Sequence, residues 1–215
     1  MAQDLDTTVR EQSVDRWLSS RFVGDEAARA DLIALYALDH ELTAIPRKVT
    51  DPLMGEIRMT WWIEGLEELA AGKPPRPHPV LEAIAAGALP PQALAALAEA
   101  RLGDLDPPKT GEALLKHVDA TEGLAMALAA RRLSNAARAE HVAQAARAYG
   151  LSHIDGEGAL TALKASRAEL KGLPIEAFPA VAHATLAKPY ARNKTPGALE
   201  TRTRVLLAVL SGRIS

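Results

Sequence analysis

With 215 residues, 48% of them hydrophobic and a formal net charge of −2, the chain is long enough to close one substantial apolar core. That charge lacks the basic excess typical of nucleic-acid binders. The absence of Cys excludes disulfides, thiolate metal sites and thiol nucleophiles, and fits a reducing compartment.

Ala and Leu recur throughout, aromatics make up 4%, and β-branched runs of strand length are scarce, so helix is expected almost everywhere. A first helix is predicted over residues 8–22. A second starts near Asp25, aligns Leu32, Leu35, Tyr36 and Leu42, and stops at Pro46. Asp51 followed by Pro52 signals the start of a third, running to about Ala71 with Ile57, Trp61, Trp62, Leu66 and Leu69. Residues 72–79, GKPPRPHP, form a stiff connection. Short helices follow at 80–86 and 91–102, then a break at 104–111 and a long helix over 112–133. Asn135 is expected to cap the next, ending near Tyr149 and Gly150. Helical stretches at 159–171 and 174–186 lead to a turn at 193–197 and a last helix over 199–213. With no internal repeat and no linker-length break, residues 1–215 read as one all-α domain.

No segment reaches the ~18 to 20 uninterrupted apolar residues of a membrane span. The first twenty residues carry Asp4, Asp6, Glu11 and Asp15 and no apolar signal core. A cytoplasmic chain with at most peripheral membrane contact is expected.

Chemistry-bearing patterns are sparse. The six His residues (40, 78, 117, 141, 153 and 183) show no H-x-x-x-H or HExxH spacing, and GxSxG, P-loop and GxGxxG phrases are absent. Acidic pairs at i, i+4 occur at Glu11/Asp15 and Glu64/Glu68; a solvated face is expected for the latter, with a bound metal as the competing reading. Arg58, beside Trp61 and Trp62, is expected to pair with Glu41 or Asp39, because a buried charge left unpaired is costly; the competing role is to hold a phosphate or lipid head group. The Trp pair is expected to anchor helix packing; adjacent helix residues lie about 100° apart, so at most one points squarely at the core, and the competing role for the other is to face a cavity or a partner. Lys188, Arg192, Lys194, Arg202 and Arg204 make the C-terminal fifth basic, suiting a solvated face, or contact with anionic lipid or an acidic partner.

Two phrases carry a resemblance. In ARADLIALYALDHEL, Arg29 and Tyr36 have the seven-residue spacing that opens the squalene/phytoene synthase family. The phrases ALDHEL (37–42) and GEIRMTWW (55–62) are similar to one branch of it, which includes mitochondrial complex I assembly factors and their bacterial relatives. An Arg-Leu-x-Asp-Leu phrase at 101–105 follows the family order more weakly. The resemblance implies an all-α helical bundle of the isoprenoid-synthase (terpenoid synthase) type, shortened at its C-terminal end.

Family enzymes join two prenyl diphosphates head to head, using carboxylates spaced i, i+4 to hold Mg²⁺ against the leaving diphosphate. Counted from Tyr36, the first pair falls on Thr43 and Arg47, neither of which serves. The second, expected after Gly150, meets only Asp155 and Glu157 among glycines that weaken a helix. The resemblance therefore implies a non-catalytic protein without a cofactor, acting by binding. Its partners would be a complex I subunit and an isoprenoid or lipid ligand, its ligand- or partner-binding residues Arg29, Tyr36, Arg58, Trp61 and Trp62, and its location cytoplasmic or peripheral to the inner membrane. The competing expectation is an active prenyltransferase whose Mg²⁺ is held by displaced carboxylates, Asp39, Glu41, Asp155 and Glu157. A lipid-carrying helical module is a third.

Overall fold

A computed structural model describes residues 4–214. Among them the chain forms α-helices joined by turns, 3-10 segments and a π turn, with no strand. In order they are α1 (Leu5–Gln12), α2 (Val14–Ser20), α3 (Glu26–Lys48), α4 (Pro52–Ala70), α5 (Pro79–Ala86), α6 (Pro91–Arg101), α7 (Gly111–Val118), α8 (Leu124–Leu133), α9 (Ala143–Leu151), α10 (Gly156–Glu169), α11 (Ala187–Tyr190) and α12 (Ala198–Ser211).

Short side chains start several of these helices. Asp25 accepts from the Ala28 N–H at 2.6 Å, Asp51 from Leu53 at 3.0 Å and Asp155 from Gly158 at 2.9 Å. The helix α3 forms the axis: Leu32, Leu35, Leu38 and Leu42 are fully buried, and α1, α2, α4, α5, α6 and α8 pack around it. Burying each Leu contributes about 1.5–3 kcal/mol. Elsewhere α4 lies on α6 and α9 on α10, while α12 rests on residues 182–186 and α2. Around α8 and α9 the buried residues are mostly Ala, among them Ala129, Ala130, Ala145, Ala146 and Ala148, which bring these helices close to their neighbours.

Four predicted elements differ. The first helix breaks at Ser13 (φ −142°, ψ 55°), so α1 buries Val9 and α2 starts afresh to bury Arg16. Pro46 lies inside the last turn of α3, which continues two residues past it to Lys48, although Pro46 cannot donate to the carbonyl of Leu42. Asn135 caps nothing: α9 begins at Ala143, and Glu169 of α10 accepts from the Gln144 N–H at 2.8 Å. Residues 174–186 form two 3-10 runs, Ile175–Ala180 and Ala182–Leu186, the first containing Pro179, which cannot donate to a helical ladder.

Two local features position side chains. The helical rod from α7 to α8 widens into a π turn over Asp119–Gly123, which buries Thr121 and Glu122. Gly87 lies so close to Asp31 that a Cβ would fall 2.0 Å from Oδ1. Through that gap Asp31 accepts from the Ala88 N–H at 3.2 Å, and it also pairs with Arg132.

Candidate functional site

Residues of α2, α3, α6, α7, α9 and the π turn converge on a polar cavity of about 590 Å³. Its floor is a charge network. Arg16 donates from Nη1 to Asp39 and from Nη2 to Glu122, each at 2.5 Å, and Arg101 donates from Nη2 to Asp39 at 2.6 Å. All four residues are buried, and their formal charges cancel. Charges taken out of water are tolerated only with such close compensation.

The titration behaviour follows. Burial works against ionisation of Asp39, but Arg101 and Arg16 outweigh it and hold the carboxyl well below the usual range. For Glu122 burial is likewise overcome, mainly by Arg16. Burial opposes the Arg16 charge too, yet Glu122 and Asp39 keep its pKa well above the ordinary guanidinium value.

A shell of rings and hydroxyls surrounds this floor. The Arg16 guanidinium stands 5.5 Å from the Tyr36 ring centroid and 5.9 Å from that of Tyr149. Tyr149 and Tyr190 donate their hydroxyls to Asp15 Oδ2 at 3.0 and 2.8 Å. His183 meets Tyr149 edge to face at 4.7 Å. Its Nε2 lies 4.0 Å from Glu122, beyond hydrogen-bond reach, and burial pushes the imidazole below its ordinary value. Asp104 stands 3.3 Å from Arg101 and 2.7 Å from His117.

Every carboxylate lining the cavity is thus engaged through at least one oxygen: Asp39 and Glu122 by arginines, Asp104 by Arg101 and His117, and Asp15 by two tyrosines on Oδ2, its buried Oδ1 having no partner. Thr43 and Arg47, where the family's first aspartate pair would fall, also line it. Thr43 turns its hydroxyl back on the Asp39 carbonyl at 2.8 Å. Among the described residues no three of His, Asp and Glu are grouped to hold a metal. This donor set does not suit Mg²⁺, which takes oxygens free of competing cations.

The sequence-predicted residues are scattered. Of the four displaced carboxylates only Asp39 reaches this cavity. Glu41 does not line it and lies near His78; Asp155 and Glu157 line a separate groove between α7, α9 and α10. The structure does not bring the four together; Asp155 is used as the cap of α10. Arg29 donates to the Val23 carbonyl at 3.2 Å and ties the turn before α3. Tyr36 is buried beneath the network, its hydroxyl without a partner.

Arg58 does not form the expected ion pair with Asp39 or Glu41. It lies exposed on the outer side of α4, and Asp39 is committed to Arg16 and Arg101. The Trp pair divides as its spacing predicts: Trp62 is 6% exposed and Trp61 37%. The pair Glu64/Glu68 grips Arg76 of the Pro-rich connection at 3.0 and 2.7 Å, and Arg76 also covers the Trp61 ring.

Arg16, Glu122, Tyr149, Tyr190 and His183 escaped the sequence reading because their partners are remote in the chain. A lone His183 within the apolar run AVAHATLA is the one local sign of a buried imidazole. The phrase at 101–105 held Arg101 and Asp104.

The family model described as squalene/phytoene synthase matches residues 9–153, more than half of the chain, a span that includes Arg16, Asp39, Arg101 and Glu122. No curated protein and no solved structure matches the chain.

Proposed function

The chain belongs to the squalene/phytoene synthase family, with an all-α architecture of the isoprenoid-synthase type, and from that premise we propose that it acts by binding and not by catalysis. The observation that carries this reading is the engagement of each cavity carboxylate by a cation or hydroxyl of the protein itself. Ionising a prenyl diphosphate leaves about three negative charges on the departing group, which need metal or free cations at the point of departure. Here Arg16 and Arg101 already serve internal acids.

The phrases at 37–42 and 55–62 extend the reading to a role in the assembly of respiratory complex I. Leu53, Ile57 and Trp61 are exposed on the outer side of α4 together with Arg58, and would meet a protein partner such as a subunit of that complex. An isoprenoid or lipid held in the cavity is compatible with the same role.

Incubation with farnesyl or geranylgeranyl diphosphate and Mg²⁺ tests the first part: no diphosphate release is expected. Release that Asp39→Ala abolishes would overturn it. For the assembly role, deletion of the gene should lower the NADH:quinone oxidoreductase content of the membrane. Unchanged content removes that role and leaves the binding reading standing.

A further inference from the structure

The helix α12 has one side that the packing leaves bare. Its inward positions Thr201, Val205 and Ala208 are buried, whereas Leu199, Leu206 and Leu210 are 79%, 42% and 73% exposed. At about 100° per residue these three leucines fall within about 40° of one another, so they form a single ridge, with Leu207 at its edge.

Cations bracket this ridge. Arg202 stands on one flank. On the other, Lys188, Arg192, Lys194 and Arg204 line a groove of about 510 Å³. The acid in that groove, Glu200, is already bound by Arg204 at 2.8 Å. Lys188, Arg192, Lys194 and Arg202 take part in no ion pair among the described residues. From residue 177 onward Glu200 is the one acid against six Lys and Arg residues.

A bare leucine ridge flanked by free cations narrows the choice of occupant. A second copy of the chain, packed two-fold across α12, would bring two equally basic surfaces together, and like charges brought together are unfavourable. A surface offering hydrocarbon beside anionic groups answers both features at once. We propose that α12 and the groove beside it dock this protein onto a membrane surface rich in anionic lipid. The leucines enter the boundary of the acyl chains while the long Lys and Arg side chains reach the lipid phosphates. No helix among the described residues is long and apolar enough to cross a membrane, so the contact is peripheral. Docking through α12 is independent of whether the cavity is catalytic.

The test mixes the full chain with vesicles of phosphatidylcholine alone, or of phosphatidylcholine and phosphatidylglycerol in equal parts, and sediments them. The protein should pellet with the mixed vesicles, stay in solution with the neutral ones, and be released as salt rises. Arg192→Ala and Lys194→Ala should each weaken partitioning by about five-fold. The doubly substituted Leu206→Glu, Leu210→Glu chain should remain in solution with an unchanged thermal melt, since both side chains are exposed. No pelleting with mixed vesicles would overturn the proposal, as would equal pelleting with neutral ones or pelleting that the leucine changes leave intact. A dimer in light scattering that Leu206→Glu splits would assign the ridge to a second copy instead.

Discussion

Arg16 donates to Glu122 at 2.5 Å, joining residues 106 apart in the chain, and through its other nitrogen holds Asp39 at the same distance. One guanidinium thereby locks α2, α3 and the π turn together.

Replacing Arg16 by Met should cost about 3–5 kcal/mol, because Glu122 is left charged in a buried position without its cation. Urea denaturation measures the loss. Adding Glu122→Gln should recover part of it, by removing the stranded charge. A cost below about 1 kcal/mol, the range of exposed pairs, would contradict the burial described here.

Stability should decline in acid in two stages. His183 titrates below its ordinary value of 6.5 in the folded state, so the unfolded chain binds that proton first. Its contribution is complete above pH 6.5 and falls as the pH drops below it. His40 and His78, also lowered by burial, act in the same sense. Asp39 and Glu122 are held below their ordinary 3.8 and 4.5, so their contribution is present above those values and is lost as the pH falls through them toward their folded-state pKa values. Melting temperature against pH should show both declines, and His183→Gln should shrink the first while leaving the second. An unchanged first decline would place its origin in the other imidazoles.

The two adjacent tryptophans should respond differently to truncation. Trp62→Ala empties a buried volume and should cost about 3–5 kcal/mol. Trp61→Ala forfeits its contact with Arg76, worth about 0.5–1 kcal/mol at an exposed site. Chemical denaturation of the two variants separates the cases, and equal losses would contradict the burial of Trp62.

Gly87→Ala should push the Asp31 carboxylate away from both Arg132 and the Ala88 N–H, since the new methyl would overlap Oδ1. Overpacking of this kind costs about 1–3 kcal/mol. An unchanged melting temperature would show that the turn after α5 yields without strain.

Much of the helical outline was legible because its punctuation is local. Asp51-Pro52 opens α4 and Pro91 opens α6 through side chains and missing donors within one turn. Elements set from a distance were not legible. The start of α9 takes its cap from Glu169, and nothing near Asn135 announces that. The cavity floor was hidden for the same reason: Asp39 meets Arg101 across 62 residues and Asp15 meets Tyr190 across 175, so no spacing rule connects them. Asp39 stands in the sequence as a candidate metal ligand, but its two guanidinium partners lie outside any helical repeat with it.

The π turn at Asp119–Gly123 has a consequence for how this rod tolerates insertions and deletions. Along it the inward positions Leu114, Val118, Glu122, Met126 and Ala130 recur every fourth residue, and on a regular helix each step of four drifts by about 40°. The widened turn absorbs one residue of that drift, about 100°, and so keeps the acid and the hydrophobic residues after it on the same side. Excising one residue there would straighten the coil and force a choice between aiming Glu122 at Arg16 and seating Met126 in the interior. Length in this stretch should therefore be far less forgiving than side-chain identity.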